Sequence, residues 1–318
     1  IKNLIVGDYS LSFGQGLVCG NNFSLGKNLS SSAPDVYGNK IKRHFSLSEQ
    51  GFMRGLASSI YLNRGETGSK KPCEIILTGF WSGKKIDSNM EGEYCTTISK
   101  TGLHRTSGEI ENRSNNMVST YGLHLASDFK NVQLGFTAFN WRLKHELKPE
   151  IKPYNLFYFR GNQGSDYSVD YRFKIMNILI YGEFGVDKEG DAAAIGCVSI
   201  RPSSRLNVSG LYRNYSVKYD SFFGNAFCEG SGVRNERGFY STLEWFPLKF
   251  FRLNAYVDIF EFPWLTYTVN SPSSGHEYAA QIIWNNRRDS EISLRIKFKN
   301  TDSNISGETG RLVSIAES

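Results

Sequence analysis

Apolar and polar residues alternate along much of this sequence with a period of two residues. Between residues 250 and 262 the apolar set is Phe251, Leu253, Ala255, Val257 and Ile259, and the interleaved set is Arg252, Asn254, Tyr256 and Asp258. A β-strand places two such sets on opposite faces, whereas a helix would place Arg252 and Asp258 among the apolar residues. The pattern therefore predicts a strand with one apolar and one polar face.

The same alternation recurs along the chain. It is clearest at residues 132–141, 277–285 and 291–299. Further strands are predicted at residues 3–9, 14–20, 52–62, 74–86, 119–127, 168–174, 178–186, 192–200, 206–219 and 238–245. Strands of about 9–11 residues cross a bilayer at a tilt, while strands of globular proteins average nearer 5–6 residues. Most of the predicted strands are close to the membrane-spanning length.

Short turns alternate with long polar loops between these strands. The short connections are at 127–131, 187–190, 202–204 and 286–290, and the long ones are at 21–47, 63–72, 145–164, 221–236 and 266–274. This asymmetry is typical of outer-membrane barrels. Trp141, Trp245, Trp264 and Trp284 lie near predicted strand ends, where an aromatic belt would lie. A soluble β-sandwich or solenoid explains the alternation but not the strand length or the aromatic ends.

Composition excludes a helical membrane protein. A membrane helix needs about 20 consecutive apolar residues, and the sequence has no such run. The mean hydropathy of −0.37 does not exclude a barrel, since polar lumen positions lower the average. We predict an all-β, antiparallel up-and-down transmembrane β-barrel in the bacterial outer membrane. It forms one domain over residues 1–318, with about 12–14 strands.

The net charge and the cysteine content indicate no specific function. The net charge of +6 is spread along the chain and indicates a solvated surface rather than an interaction tail. Five cysteines without a CxxC pair argue against a zinc site or a disulfide framework, although one bridge between Cys73 and Cys95 stays open. The chain starts at Ile1 without a signal peptide, and 311–318 has the pattern of a strand beginning. We therefore expect a fragment of a longer chain that lacks its C-terminal strands.

Eight motifs in sequence order suggest a family. They are LIVGDYSLSFGQGLV (4–18), EQGFMRG (49–55), TGLHRTSGEI (101–110), YGE (181–183), YRNY (212–215), AFCEG (226–230), NERGFY (235–240) and DIFEFPWL (258–265). Together they resemble the barrel portion of the Bacteroidetes-type outer-membrane proteins known as helix-hairpin-helix domain-containing proteins. The resemblance covers residues 4–277. It implies a barrel in the outer membrane and an upstream DNA-binding-type module that this sequence lacks, and it implies no catalytic residues.

Charged residues within the predicted strands are the first candidate site. An Arg or Lys that faces lipid at mid-depth costs about 2–4 kcal/mol, so these side chains are expected to face the lumen. The candidates are Arg54, Glu183, Arg213, Arg252, Asp258 and Arg295. They would either pair into a network that fills the lumen or line a polar pathway, and the sequence leaves both open.

Two connecting segments are candidates for filling the lumen. Thr106 and Glu109 have the spacing of a capping box, which predicts a short helix. That helix could act as a plug or constriction through His104, Arg105, Thr106, Glu109 and Arg113, or the segment could be an ordinary loop. The loop at 222–237 could fold inward and pair with wall charges through Glu229, Asn235 and Glu236.

Other chemistry has weak support. Gly14-Gln15-Gly16 has no nucleotide-binding context and indicates a bulge or tight bend. No histidine pattern predicts a metal, and no cofactor is expected. His104 or His276 could pair with a Ser or Asp in a rim-located hydrolase, but we expect no enzyme.

We predict a porin-like channel or a scaffold of the cell envelope, with outer-membrane lipid and envelope proteins as partners. The alternative is a nucleic-acid uptake or tethering protein that binds through the upstream helix-hairpin-helix region absent here.

Overall fold

The computed structural model describes residues 1–20, 27, 29, 40–45, 51–64, 73–99, 102, 104–286, 290–302 and 310–317. These contain seventeen strands, one short α-helix and one 3-10 turn at Pro153–Asn155. The strands are β1 Asn3–Ser12, β2 Lys40–Arg43, β3 Met53–Asn63, β4 Cys73–Ile86, β5 Ser88–Glu91, β6 Tyr94–Ile98, β7 Asn116–Phe129, β8 Val132–Leu147, β9 Gly161–Ile175, β10 Ile178–Val186, β11 Ala192–Ser203, β12 Leu206–Tyr215, β13 Glu236–Leu248, β14 Phe251–Phe262, β15 Ser273–Asn286, β16 Ser290–Thr301 and β17 Gly310–Glu317; the helix is α1 Ser107–Glu111. Within these ranges, no helix is long and apolar enough to cross a membrane.

The all-β prediction is confirmed, and most predicted strands are present. Three strands, β2, β5 and β6, have five residues or fewer, and the other fourteen have 8 to 16. The prediction of a strand at residues 14–20 is wrong, because Gly14 and Gly16 take positive φ angles and the chain turns there. The predicted loops at 21–47 and 63–72 and the turn at 286–290 lie partly outside the described residues.

The long strands form an antiparallel up-and-down sheet. The pairings run β1–β3–β4–β7 and then through each consecutive strand to β17. The strand β2 pairs with the end of β1, and the β5–β6 hairpin is inserted between β4 and β7. Each long strand therefore lies beside its neighbour in sequence, apart from these two short insertions.

The connections differ at the two ends of the sheet. At one end, two residues join β7 to β8, β9 to β10, β11 to β12 and β13 to β14. We call this end the short-turn rim. At the other end, the long-loop rim, the connections include residues 148–160, 216–235 and 263–272. The turn at 187–191 is also on the long-loop rim, and the nine-residue connection between β3 and β4 is on the short-turn rim. The predicted asymmetry therefore holds with two exceptions.

The two faces of the sheet have the opposite polarity to those of a soluble β-protein, with apolar residues outside and polar residues inside. On the outer face, Leu125, Phe136, Val169 and Phe184 form a row across β7 to β10, each directly opposite the next. Their side chains are 40–51% exposed. On the inner face, polar and charged residues of the same strands are buried, among them His124, Thr137, Asp170 and Glu183. The alternation seen in the sequence therefore places apolar residues outside and polar residues inside.

The sheet curves around a shared interior. The segment that follows β1 contacts strands far apart in the sheet: Phe13 stacks on His124 of β7 with ring centroids 4.3 Å apart, and Gln15 donates its backbone N–H to Glu183 of β10 at 2.6 Å. Further along, Lys27 Nζ lies 2.7 Å from Asp258 of β14. A flat sheet could not bring β7, β10 and β14 to one segment, so the strands wrap around it. The fold is an antiparallel up-and-down β-barrel.

Two apolar clusters fill part of the interior. One contains Leu17, Tyr181, Leu211, Tyr215, Tyr219, Phe227 and Tyr240. The other contains Phe13, Val18, Met53, Phe80, Phe139 and Trp141. Trp141 is therefore inside rather than in the predicted outer aromatic belt. Burying a large apolar side chain stabilises a fold by about 1.5–3 kcal/mol, so these clusters fix the inner segments firmly against the wall.

Candidate functional site

Two segments from the long-loop rim enter the barrel and bind each other there. Residues 13–20 follow β1, and residues 216–235 join β12 to β13; we call the two together the plug. Within the plug, the Tyr219 hydroxyl donates to the Leu17 carbonyl at 3.1 Å, and the Ser221 hydroxyl donates to the Val18 carbonyl at 3.0 Å. Leu17, Val18 and Tyr219 have no exposed surface. The plug is thus a packed unit inside the lumen.

Close backbone contacts hold the first plug segment in place. Gly14 has a φ of +54°, and a Cβ at this position would lie 2.7 Å from Glu183 Oε2. Gly224 in the second segment is equally confined, since its Cβ would lie 2.5 Å from the Leu17 carbonyl oxygen. The predicted tight bend at Gly14-Gln15-Gly16 is present. Its role in directing the chain into the lumen was not apparent from the sequence.

Glu183 on β10 anchors the first plug segment to the wall. Its Oε2 accepts hydrogen bonds from the backbone N–H groups of Gln15, at 2.6 Å, and Leu17, at 3.0 Å. Asp170 of β9 stands directly opposite Glu183 in the register, and both side chains are buried. Because Glu183 bonds two backbone amides at once, it fixes the path of residues 15–17.

Arg213 on β12 joins the wall to the second plug segment. Its Nη1 and Nη2 donate to the two carboxylate oxygens of Asp258 on β14, at 2.9 and 3.2 Å. Its Nε donates to Glu236, which also accepts the backbone N–H groups of Glu229 and Gly230. The side chains of Arg213, Glu236 and Asp258 are fully buried. Each charge in this group has an opposite charge beside it.

Lys27 extends these contacts across the lumen. Its Nζ lies 2.6 Å from Glu229, 2.7 Å from Asp258 and 3.3 Å from Glu277. Burial works against the charge of Lys27, but the carboxylates of Asp258 and Glu229 outweigh it and raise the pKa of the ammonium group. On β16, Lys299 pairs with Glu229, and Lys297 Nζ lies 3.0 Å from Glu277.

These groups form one connected set, which we call the lumen ion network. Its cations are Lys27, Arg213, Lys297 and Lys299, and its carboxylates are Glu229, Glu236, Asp258 and Glu277. The four positive and four negative charges balance. Buried ion pairs are tolerated when each charge is compensated in this way. The network connects the wall strands β12 to β16 to the plug.

Five of the six predicted lumen charges lie on the inner face. Glu183, Arg213 and Asp258 are in the contacts described above. Arg252 pairs with Glu244 of β13, and Arg295 lies on the same face of β16 as Lys297 and Lys299. Arg213 and Asp258 both belong to the lumen ion network. For these two residues, the structure therefore favours a network that fills the lumen over a polar pathway.

The prediction that Arg54 faces the lumen is wrong. Arg54 is the second residue of β3, at the long-loop rim, and lies on the outer face with 62% of its side chain exposed. Its guanidinium donates to Asp8 of β1, directly opposite, at 2.7 and 2.9 Å. The buried inner position is taken by the neighbouring Met53. The cost of an outward charge falls close to zero near the interface, so the rim position permits it.

The predicted helix is present, and it is exposed. Thr106 and Glu109 form both hydrogen bonds of the capping box of α1, which spans Ser107–Glu111. None of its residues is buried, and Ile110 is 58% exposed. His104 bonds Asp87 at 3.0 Å, Arg105 donates its backbone N–H to Glu109, and Arg113 is exposed. The exposure of the helix favours the other alternative, an ordinary loop, because the five-residue helix buries no apolar face.

The second predicted segment lies in the lumen. Glu229 contacts Lys27 and Lys299, and Glu236 contacts Arg213. Asn235 instead bonds the loop after β14. Its Nδ2 donates to the Trp264 carbonyl at 3.0 Å, and its Oδ1 accepts the Trp264 backbone N–H at 2.7 Å. Sequence reasoning missed Lys27 and Glu277, although Glu277 alternates with apolar neighbours in β15 as an inward residue should.

Groups suited to metal or covalent chemistry are sparse. The described residues contain no cluster of His, Cys, Asp and Glu that could hold a metal ion. All five cysteines are free, so Cys73 and Cys95 are not bridged. Of the two candidate histidines, His104 pairs with Asp87 at 3.0 Å, whereas His276 stacks on Phe298 and lies tilted against Tyr278.

Known proteins are only weakly similar to this chain. No family model matches the chain, and no curated protein matches it. Among solved structures, the Escherichia coli protein Wzi, described as an outer-membrane protein involved in group 1 capsule assembly and a carbohydrate-binding β-barrel, aligns at 10% identity and a TM-score of 0.40. That alignment covers 98% of this chain and 83% of Wzi. OccAB3 of Acinetobacter baumannii aligns at 9% identity and a TM-score of 0.32, over 85% of this chain and 94% of that one.

Proposed function

We propose that this chain is a β-barrel of the bacterial outer membrane whose lumen is closed by its own plug. The observation that supports this is the inverted polarity of the sheet, with apolar side chains outside and charged side chains buried inside. Soluble monomers rarely expose continuous apolar patches larger than a few hundred Å². Membrane barrels require an apolar outer band, short turns at one end and longer loops at the other. The described strands have all three features.

The filled interior favours a scaffold in a cell-envelope assembly over a permanently open channel. The plug, the two apolar clusters and the lumen ion network occupy the lumen toward the long-loop rim. A channel function would need the plug to move, which breaks the contacts of Glu229 with Lys27 and Lys299. In the resting state, the barrel would therefore present its rims and loops to partners rather than conduct solutes.

Electrophoretic mobility tests the membrane-barrel proposal. Folded outer-membrane barrels resist denaturation by detergent until they are boiled. We therefore expect the unboiled protein to migrate differently from the boiled protein on a denaturing gel. We also expect it in the outer-membrane fraction of cells. Equal mobility of the two samples together with recovery in the soluble fraction would contradict the proposal.

The closed state predicts a specific effect of Gly14→Val. The new side chain would push against Glu183 and displace the first plug segment. In planar lipid bilayers, we expect the parent protein to show no steady conductance and the variant to show frequent openings.

Gly92→Val is the matched control. Gly92 has a φ of +65° but nothing within 4 Å of its Cβ position, so it shares the backbone strain without the steric conflict. We expect this control to stay closed. Steady conductance by the parent, or a folded Gly14→Val protein that stays closed, would contradict the plug assignment.

A further inference from the structure

A basic cavity opens inside the barrel at the short-turn rim. Its volume is about 460 Å³, and its wall includes Lys130, Arg172, Lys174 and Arg201. The remaining polar groups of its lining are amides and a hydroxyl, from Asn131, Gln133, Asn177, Ser199 and Asn207. None of the described residues that line it is acidic. This composition differs from the balanced lumen ion network deeper in the barrel.

The cavity lies in the lumen and not on the membrane face. Arg172 and Lys174 alternate on β9 with the outward residues Tyr171 and Phe173, and they share the inner face with the buried Asp170. Lys174 stands opposite Leu179 of β10, which in turn stands opposite Ser199 of β11. These register pairs place the basic groups around one opening.

The cavity has a closed floor. Leu179 lines it and packs against the apolar cluster that contains Tyr181, Leu211 and Tyr240. The guanidinium of Arg172 lies over the Tyr181 ring, 5.7 Å from its centroid. Along β9, the next inward carboxylate is Asp170, which is fully buried and does not line the cavity. A solute entering from the short-turn rim would therefore meet the cations, the amide and hydroxyl groups and, at the inner end, Leu179.

We infer that this cavity binds a small, multiply charged anion with two or more carboxylate or phosphate groups. Four cations around a single concave opening generate a positive potential that attracts anions. The volume is within the range of small-molecule sites and exceeds the needs of one phosphate ion. Arg and Lys donate charge-assisted hydrogen bonds to carboxylate and phosphate oxygens. The Gln133 amide already donates to Asp128 of β7 at 2.8 Å, so the four cations carry the inference. The inference goes beyond the proposed function, since the site binds whether or not the barrel conducts.

Calorimetric titration of the full chain in detergent tests this inference. Citrate and pyrophosphate, at constant ionic strength, are the two probes. We expect saturable binding of at least one of them, and the tighter probe assigns the carboxylate or the phosphate class. The double variant Lys174→Gln with Arg201→Gln should bind roughly tenfold more weakly or worse, since two charge-assisted contacts are lost.

Lys188→Gln is the matched control, because Lys188 is an exposed lysine in the turn at the opposite rim. We expect its affinity to equal that of the parent. Gel mobility before and after boiling establishes that each variant is folded, which separates a failure of this inference from a failure of the barrel proposal. Absence of binding to the folded parent would overturn the inference, as would equal affinities of the double variant and the parent.

Discussion

Replacing Arg213 with methionine is expected to destabilise the folded barrel by about 3–5 kcal/mol, the usual cost of breaking a buried ion pair by removing one partner. Methionine retains most of the side-chain volume but removes all donors to Asp258 and Glu236. Both carboxylates have no exposed side-chain surface, so they cannot regain these contacts from water. Urea unfolding in lipid vesicles, followed by tryptophan fluorescence, measures the difference.

Arg237→Met is the control for this prediction. Arg237 lies on the outer face of β13 near the long-loop rim and pairs with Glu261 at 3.6 Å, with both side chains more than half exposed. Exposed pairs contribute about 0–1 kcal/mol, so this variant should retain nearly all of its stability. Similar losses in the two variants would show that the lumen ion network does not hold the wall and the plug together.

The filled lumen also explains why the network is balanced. Charges that are mostly buried remain ionised only when each has an opposite charge nearby. The pair of Glu229 with Lys299 connects a plug residue to the wall, whereas the pair of Lys297 with Glu277 lies within the wall. Release of the plug would therefore leave part of the network intact and expose Glu229, Lys27 and Lys299 to water, where their charges are solvated at little cost.

The strands and their faces could be predicted from the sequence because alternation is a local signal. Once a membrane barrel is assumed, the cost of a charge in lipid directs Arg213 and Asp258 inward without any knowledge of their partners. The same rule is wrong for Arg54, because the rule takes no account of how deep a residue lies in the membrane. For Arg54 that depth depends on where β3 begins relative to the rim. The rule therefore serves best near the middle of each strand.

The plug could not be predicted from the sequence for a different reason. Gly14 and Gly16 indicate a turn, but the direction of the chain after the turn depends on Glu183, which lies more than 160 residues away along the chain. The capping box at Thr106 and Glu109 is equally local: it predicts that a helix forms, not where the helix lies. Partners distant in sequence, such as Lys27 and Asp258, leave no local pattern.

The second prediction of a large loss of stability concerns Val169, in the middle of the outer apolar row. If this row faces lipid, Val169→Arg should cost about 2–4 kcal/mol, as expected for a cation near the bilayer midplane. If it faced water, replacing an exposed residue would change stability by no more than about 0.5 kcal/mol. Ile175 lies on the same face of β9 at the short-turn rim and is 56% exposed. Ile175→Arg should cost about 0–1 kcal/mol, because the charge can reach the interface.

The comparison of these two variants in lipid vesicles tests the membrane-barrel proposal most directly. The measurement is the free energy of unfolding of the parent, Val169→Arg and Ile175→Arg under identical conditions. A large loss at Val169 with a small loss at Ile175 is the predicted result, because only the first position lies deep in the apolar band. Negligible and equal losses at both positions would contradict the proposal that this face of the sheet spans a membrane.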